Sequence, residues 1–242
     1  MGTAHFMKDD DTRQSSASRR CRGPEGIGQQ AAIAIEQGFG SGEGLCTVEE
    51  AQFLQNWLAR EGRLIPEDDW HLLPLVENQT AEHEVRYRES DHRAVKRTWP
   101  GTFGLVPSRI NGTWQPRPAT PRAYLHRLAL QNELFADEIV LEAGMIGSGP
   151  SMIIGQPAGG LSLVISQPWL DALDQDAPHP VEQELAPFLQ KRGFEPLFGS
   201  FYGWLHESNR IVILDAKPDN FIATPEGILP IDLLMTEYEQ AA

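Results

Sequence analysis

Four polar residues stand between apolar runs near the C-terminal end of the sequence. Ile211 to Leu214 leads into Asp215-Ala216-Lys217-Pro218-Asp219-Asn220, and Phe221 to Thr224 follows. A turn at Pro225-Glu226-Gly227 and a third apolar run, Ile228 to Ile231, then deliver Asp232. These residue types suit phosphoryl transfer. A carboxylate must orient the attacking hydroxyl and take its proton. A lysine can balance charge on the moving phosphoryl group, while an amide oxygen and a second carboxylate hold Mg²⁺ against the nucleotide phosphates. On this reading Asp215 and Lys217 act on the reacting groups, and Asn220 and Asp232 hold the metal. The plainer alternative is a polar turn between two strands, since Asp, Pro and Asn are common turn residues.

The elements that must position this set follow from periodicity and punctuation. Thr47 with Glu50 fits a capping box, and Phe53, Leu54, Trp57 and Leu58 recur at helical spacing until Gly62. Glu82 to Tyr87 and Ala94 to Thr98 read as two strands around the turn Glu89-Ser90-Asp91. A loop rich in Pro and Gly is expected from Gly101 to Ala119. Thr120-Pro121 then opens the clearest helix, with Tyr124, Leu125, Leu128, Ala129 and Leu134 as its apolar stripe. Ile139 to Ala143, Met152 to Ile154 and Leu161 to Ser166 are strand candidates, and Val181 to Lys191 is a helix stopped by Gly193. Arg210 to Leu214, Phe221 to Thr224 and Ile228 to Ile231 complete the strands.

At Asp215, Lys217, Pro218 and Asn220 the sequence resembles the protein-kinase-like superfamily, whose catalytic loop reads D-x-K-P-x-N. Asp232 stands where that family has its metal-binding Asp. Val95-Lys96 resembles the strand lysine that holds the nucleotide phosphates, and the helix from Pro121 resembles the one that supplies its acidic partner, here Glu133, with Glu138 and Glu142 as rivals. Leu161 to Ser166 followed by Gln167-Pro168-Trp169 resembles the last N-lobe strand and the adenine-contacting hinge. The small kinase-like domains of bacterial and phage polyvalent proteins are the nearest likeness. It is carried by Ala81 to Val85, Val95 to Gly104, Tyr124 to Asn132 and Asp215 to Asn220.

The resemblance implies an α+β fold: an antiparallel N-lobe sheet with one helix, and a truncated C-lobe. Residues 1–46 are expected to be mostly disordered and 47–71 to form an N-terminal helical segment. The kinase-like domain would fill 72–242, with the N-lobe at about 72–166, the hinge at about 167–169 and the C-lobe at 170–242. The implied activity is ATP- and Mg²⁺-dependent phosphotransfer to a protein Ser, Thr or Tyr or to a small molecule. Nucleotide-binding residues would be Lys96, Glu133, Gln167 and Trp169. No G-x-G-x-x-G precedes Val95 and no A-P-E follows Asp232, which keeps two other readings open. One is an inactive nucleotide-binding scaffold; the other is a small-molecule kinase.

Composition narrows the classes. The chain has 242 residues with Lys+Arg 20 against Asp+Glu 34, a net charge of −14. Nucleic-acid binding draws on clustered Lys and Arg, so no nucleic-acid partner is expected. No apolar run is long enough for a membrane-spanning helix and no leader is recognisable, so no membrane partner is expected. Two cysteines, Cys21 and Cys46, make neither a disulfide scaffold nor a zinc site, which points to reducing cytoplasm.

Overall fold

In a computed structural model of the protein, residues 47–76, 82–148, 159–200 and 202–238 are described. The expected disorder of 1–46 and the strand expected over Met152–Ile154 lie outside these residues. The protein is a mixed α and β molecule with antiparallel sheets and few helices. None of the helices among the described residues is long and apolar enough to cross a membrane.

Helix α1, Thr47–Arg60, ends before Gly62, whose φ of 65° suits a residue without Cβ. A short helix α2, Glu67–Trp70, follows. Strands β1 (His83–Arg88) and β2 (Arg93–Thr98) pair through the expected turn, with Val85 opposite Lys96. Beyond them the expected loop is a hairpin, β3 (Leu105–Ile110) with β4 (Thr113–Pro118). Asn111 and Gly112 turn it at φ 49° and 80°, the left-handed pair that a two-residue hairpin turn needs. Prolines at 107, 116 and 118 disguise these strands in the sequence, yet a two-stranded ribbon tolerates them wherever no ladder N–H is required.

Helix α3, Pro121–Phe135, starts as its sequence dictates: Thr120 Oγ1 accepts from Ala123 N at 3.3 Å and proline occupies the first turn. Strands β5 (Val140–Gly147) and β6 (Gly160–Pro168) complete the main sheet in the order β1-β2-β6-β5. The lysine strand β2 therefore lies directly beside the strand that runs into Gln167-Pro168-Trp169.

The inner face of this sheet, Leu141, Leu161, Leu163 and Ile165, packs on Leu54 and Leu58 of α1 and on Tyr124, Leu125 and Leu128 of α3. Withdrawing each such side chain from water contributes about 1.5–3 kcal/mol. Trp70 covers the outer face, against Val95, Met145 and Val164.

The second half of the molecule starts with α4, Glu182–Gln190, stopped near Gly193 as expected. Two very short strands not read from the sequence, β7 (Glu195–Pro196) and β8 (Trp204–His206), lead to β9, Ile211–Leu214. Strands β10 (Phe221–Thr224) and β11 (Gly227–Pro230) form a hairpin, and β12, Leu234–Glu237, returns antiparallel to β9. The C-terminal turn of α3 reaches this second core too, where Leu130 and Phe135 meet Leu189, Ile213, Phe221 and Leu233. One helix thus spans both halves.

Candidate functional site

Strand register sets where the segments that carry Asp215, Asn220 and Asp232 begin and end. Leu214 of β9 faces Leu234 of β12, so the segment opening at Asp215 and the one closing at Leu233 leave the sheet at the same end. Phe221 faces Pro230, which puts Asn220 beside Ile231. Ile231 N donates to Asn220 O at 2.9 Å.

Asp215 sits at φ 57°, a left-handed conformation uncommon for a residue with Cβ but accessible to Asp. Asn220 stabilises it: Nδ2 donates to Asp215 O at 2.7 Å and to Asp215 Oδ2 at 3.0 Å. Asn220 itself closes a tight 3-10 turn, Pro218–Asn220. The Asp215 carboxylate is 43% exposed, open to an acceptor from solvent. Lys217 Nζ stands 3.6 Å from Asp215 Oδ2 and 3.5 Å from Asp219 Oδ2. Partial burial works against the Lys217 ammonium, but Asp215 and Asp219 outweigh it and raise its pKa.

Lys96 reaches this loop from the main sheet and donates to Ile231 O at 2.7 Å. Burial pushes its pKa down, and the negative charges of Asp232, Asp137 and Glu82 oppose that push. A continuous path therefore runs from Lys96 through Ile231 and Asn220 to Asp215 and Lys217, with Asp232 next along the chain.

Asp232 lies in a buried polar network that the sequence reading did not anticipate. Arg127 Nη2 donates to its Oδ1 at 2.5 Å, and His83 Nδ1 stands 3.7 Å from Oδ2. Burial would raise the Asp232 pKa, but Arg127, His83 and Lys96 hold the carboxyl well below the usual range. Arg127 also donates to Glu82 Oε2 at 2.8 Å and Leu105 O at 2.6 Å, while Glu82 Oε1 accepts from Leu105 N at 3.1 Å. His83 Nε2 and Tyr124 Oη are 2.8 Å apart. Ligand atoms of Glu82, His83 and Asp232 lie within 4.8 Å of one another, a metal-like grouping whose two carboxylates already share the Arg127 guanidinium as their cation. His83 is buried here, whereas His126 faces Glu237 at the surface.

Glu133 does not join Lys96. It is exposed on α3, and the acids that act on Lys96 are Asp232, Asp137 and Glu82. The helical phase explains this. Tyr124, Arg127 and Gln131 recur every three or four residues on the inward face, and Glu133, two residues after Gln131, is rotated by about 200° from it. Asp137, just past the helix, is one of those acids. Gln131 Nε2 donates to its Oδ2 at 2.5 Å, and burial pushes the Asp137 carboxyl up to about 6.

Gln167 and Trp169 leave the main sheet beside β2. Gln167 faces Ala94 in the register and is buried, with no hydrogen-bond partner at Oε1 among the described residues. Trp169 is pinned by its N–H to His92 O at 2.9 Å, and its ring packs edge-on against Tyr87 at 5.0 Å.

Lys96, Asp215, Lys217, Asn220 and Asp232 were thus legible as a group, whereas Arg127, Gln131, Glu82 and Asp137 were not. A signal for Arg127 existed in its position: with Tyr124 and Gln131 it falls on the apolar face of a helix, where a charge demands a partner. No protein-family model, curated protein or solved structure matches the chain.

Proposed function

We propose that the protein is a kinase-like phosphotransferase that uses Mg²⁺ and ATP to phosphorylate a hydroxyl of a protein or a small molecule. The observation that carries this reading is the hydrogen-bonded path from Lys96 through Ile231 and Asn220 to Asp215, with Asp232 adjoining it. A decorative turn has no need of a buried lysine drawn from another sheet. The order of parts supports the reading as well: the lysine strand, then α3, then the strand that leads into Gln167-Pro168-Trp169, then the two strand pairs β9–β12 and β10–β11 that carry the acids.

The donor set suits Mg²⁺. Asn220 commits Nδ2 to Asp215, and its Oδ1, with no hydrogen-bond partner among the described residues, joins the Asp232 carboxylate as an oxygen ligand for a hard cation. When bound, the ion would neutralise charge on the nucleotide phosphates. The chain's own residues do the rest. Asp215 accepts a hydrogen bond from the acceptor hydroxyl and takes its proton. Lys217 balances charge beside it, and Lys96 steadies the phosphates. Gln167 and Trp169 flank the base. A cytoplasmic setting goes with this chemistry.

A second reading has one observation behind it. Asp232 is already ion-paired to Arg127 and Lys96 already donates to a backbone carbonyl, as would suit an inactive nucleotide-binding scaffold. Thermal unfolding with Mg·ATP and transfer of labelled phosphate separate the two. A raised midpoint with transfer supports the enzyme; a raised midpoint without transfer to itself or to any small-molecule hydroxyl supports the scaffold. An unchanged midpoint at millimolar nucleotide contradicts both.

A further inference from the structure

Helix α3 is tied down at three places. At its first turn Arg122 N donates to Glu50 Oε2 of α1 at 3.0 Å. In its middle Arg127, only 1% exposed, donates to Asp232 and Glu82. Near its end Gln131 Oε1 accepts from Leu233 N at 3.4 Å. The second and third ties end on neighbouring residues, Asp232 and Leu233. The position of the helix is thereby transmitted to the carboxylate that the phosphotransferase reading assigns to the metal.

We propose that Arg127 is a positioning residue for Asp232: it anchors Oδ1 to α3, so that α3, clamped at its start by α1, sets how Asp232 is presented to Mg²⁺. This rests on the phosphotransferase reading. The guanidinium suits the task because its planar fork holds two carboxylates in a fixed relative geometry, whereas a lysine ammonium is a point charge with rotatable donors. With Arg127 1% and Asp232 20% exposed, the pair is screened by salt less than a surface pair. A merely structural arginine would neutralise Glu82 and Asp232 alike, without bearing on metal in particular. Groups that orient a metal ligand from behind typically change metal affinity by about 10–100-fold when altered.

The test is calorimetric binding of Mg·ATP and of metal-free ATP to the full chain, with thermal midpoints recorded for each protein. Arg127→Lys keeps the charge and loses the fork. It is expected to weaken Mg·ATP binding by about 10–100-fold and to leave metal-free ATP binding nearly unchanged. Glu82→Gln, which breaks only the other half of the network, is expected to lower the midpoint and spare the Mg²⁺ dependence. Should Arg127→Lys fail to fold, Glu82→Gln compared with Arg127→Gln/Glu82→Gln makes the same comparison, because the added change removes the partner of Asp232 and, besides it, only the bond to Leu105 O, which touches no proposed metal ligand. Unchanged Mg²⁺ dependence in the Arg127 variant, or equal effects in the Arg127 and Glu82 variants, overturns the proposal alone. A wild-type protein that binds no Mg·ATP overturns the phosphotransferase reading, and the proposal with it.

Discussion

Asp137 carries its consequence at the level of a single carboxyl. Burial pushes it up to about 6 from an ordinary 3.8, so between those values the folded protein holds a proton that the unfolded chain has released. Stability contributed by this group is therefore present at low pH and lost as pH rises through that window. We predict that Asp137→Asn gains stability relative to wild type as pH rises from about 4 to about 7, read as the difference in urea midpoints. A difference independent of pH would show that Asp137 is not the group responsible. Lys96 gives a second prediction. Since it touches the loop at Ile231 O and is proposed to meet phosphates, Lys96→Met should weaken nucleotide binding as well as turnover, measured by titration of Mg·ATP. Loss of turnover with full nucleotide affinity would contradict that placement. The polar residues of this loop were readable in sequence because they stand out between apolar runs and match a spaced pattern, D-x-K-P-x-N. Arg127 and Glu82 were not, because a charge reads as surface until a fold buries it beside its partner.

Among the elements, the β3–β4 hairpin shows where local reading failed and how the backbone accounts for it. Its prolines mask the strands, although Asn111-Gly112 is a local signal for a two-residue hairpin turn. Gly112 has φ 80° and open space around it, so Gly112→Ala meets only backbone strain and should cost about 1–2 kcal/mol. Gly104, at the entry to the hairpin, differs. A Cβ there would lie 2.5 Å from Glu82 Oε2, the oxygen that accepts from Arg127. We predict that Gly104→Ala lowers the denaturation midpoint more than Gly112→Ala does; the reverse order would argue that the Glu82–Arg127 pair adjusts without cost. Helix α3 was legible from Thr120-Pro121 because a cap and a proline are local signals. The short strands β7 and β8 were not, since pieces of two and three residues owe their form to the neighbours they pair with.

At the scale of the whole molecule, two cores are joined by α3, and the candidate site forms where they meet. The main sheet sends Lys96 across; the second half supplies Asp215, Asn220 and Asp232 from two strand pairs whose ends coincide. Most helices and strands were legible from periodicity and turn signals, and their antiparallel arrangement was what the resemblance implied; the joining of the halves was not legible, because it depends on contacts such as Lys96 to Ile231 and Arg127 to Asp232 between residues far apart in the chain. The central claim, that these residues divide the labour of phosphoryl transfer, is tested most directly by measuring Mg·ATP affinity and turnover together in wild type, Asp215→Asn and Asp232→Asn at equal Mg²⁺. The account predicts that Asp215→Asn loses about 10²–10⁴-fold in turnover with nearly unchanged affinity, as for a positioned general base, whereas Asp232→Asn loses both. Weakened binding in Asp215→Asn with none in Asp232→Asn, or equal mild losses in both, would contradict it.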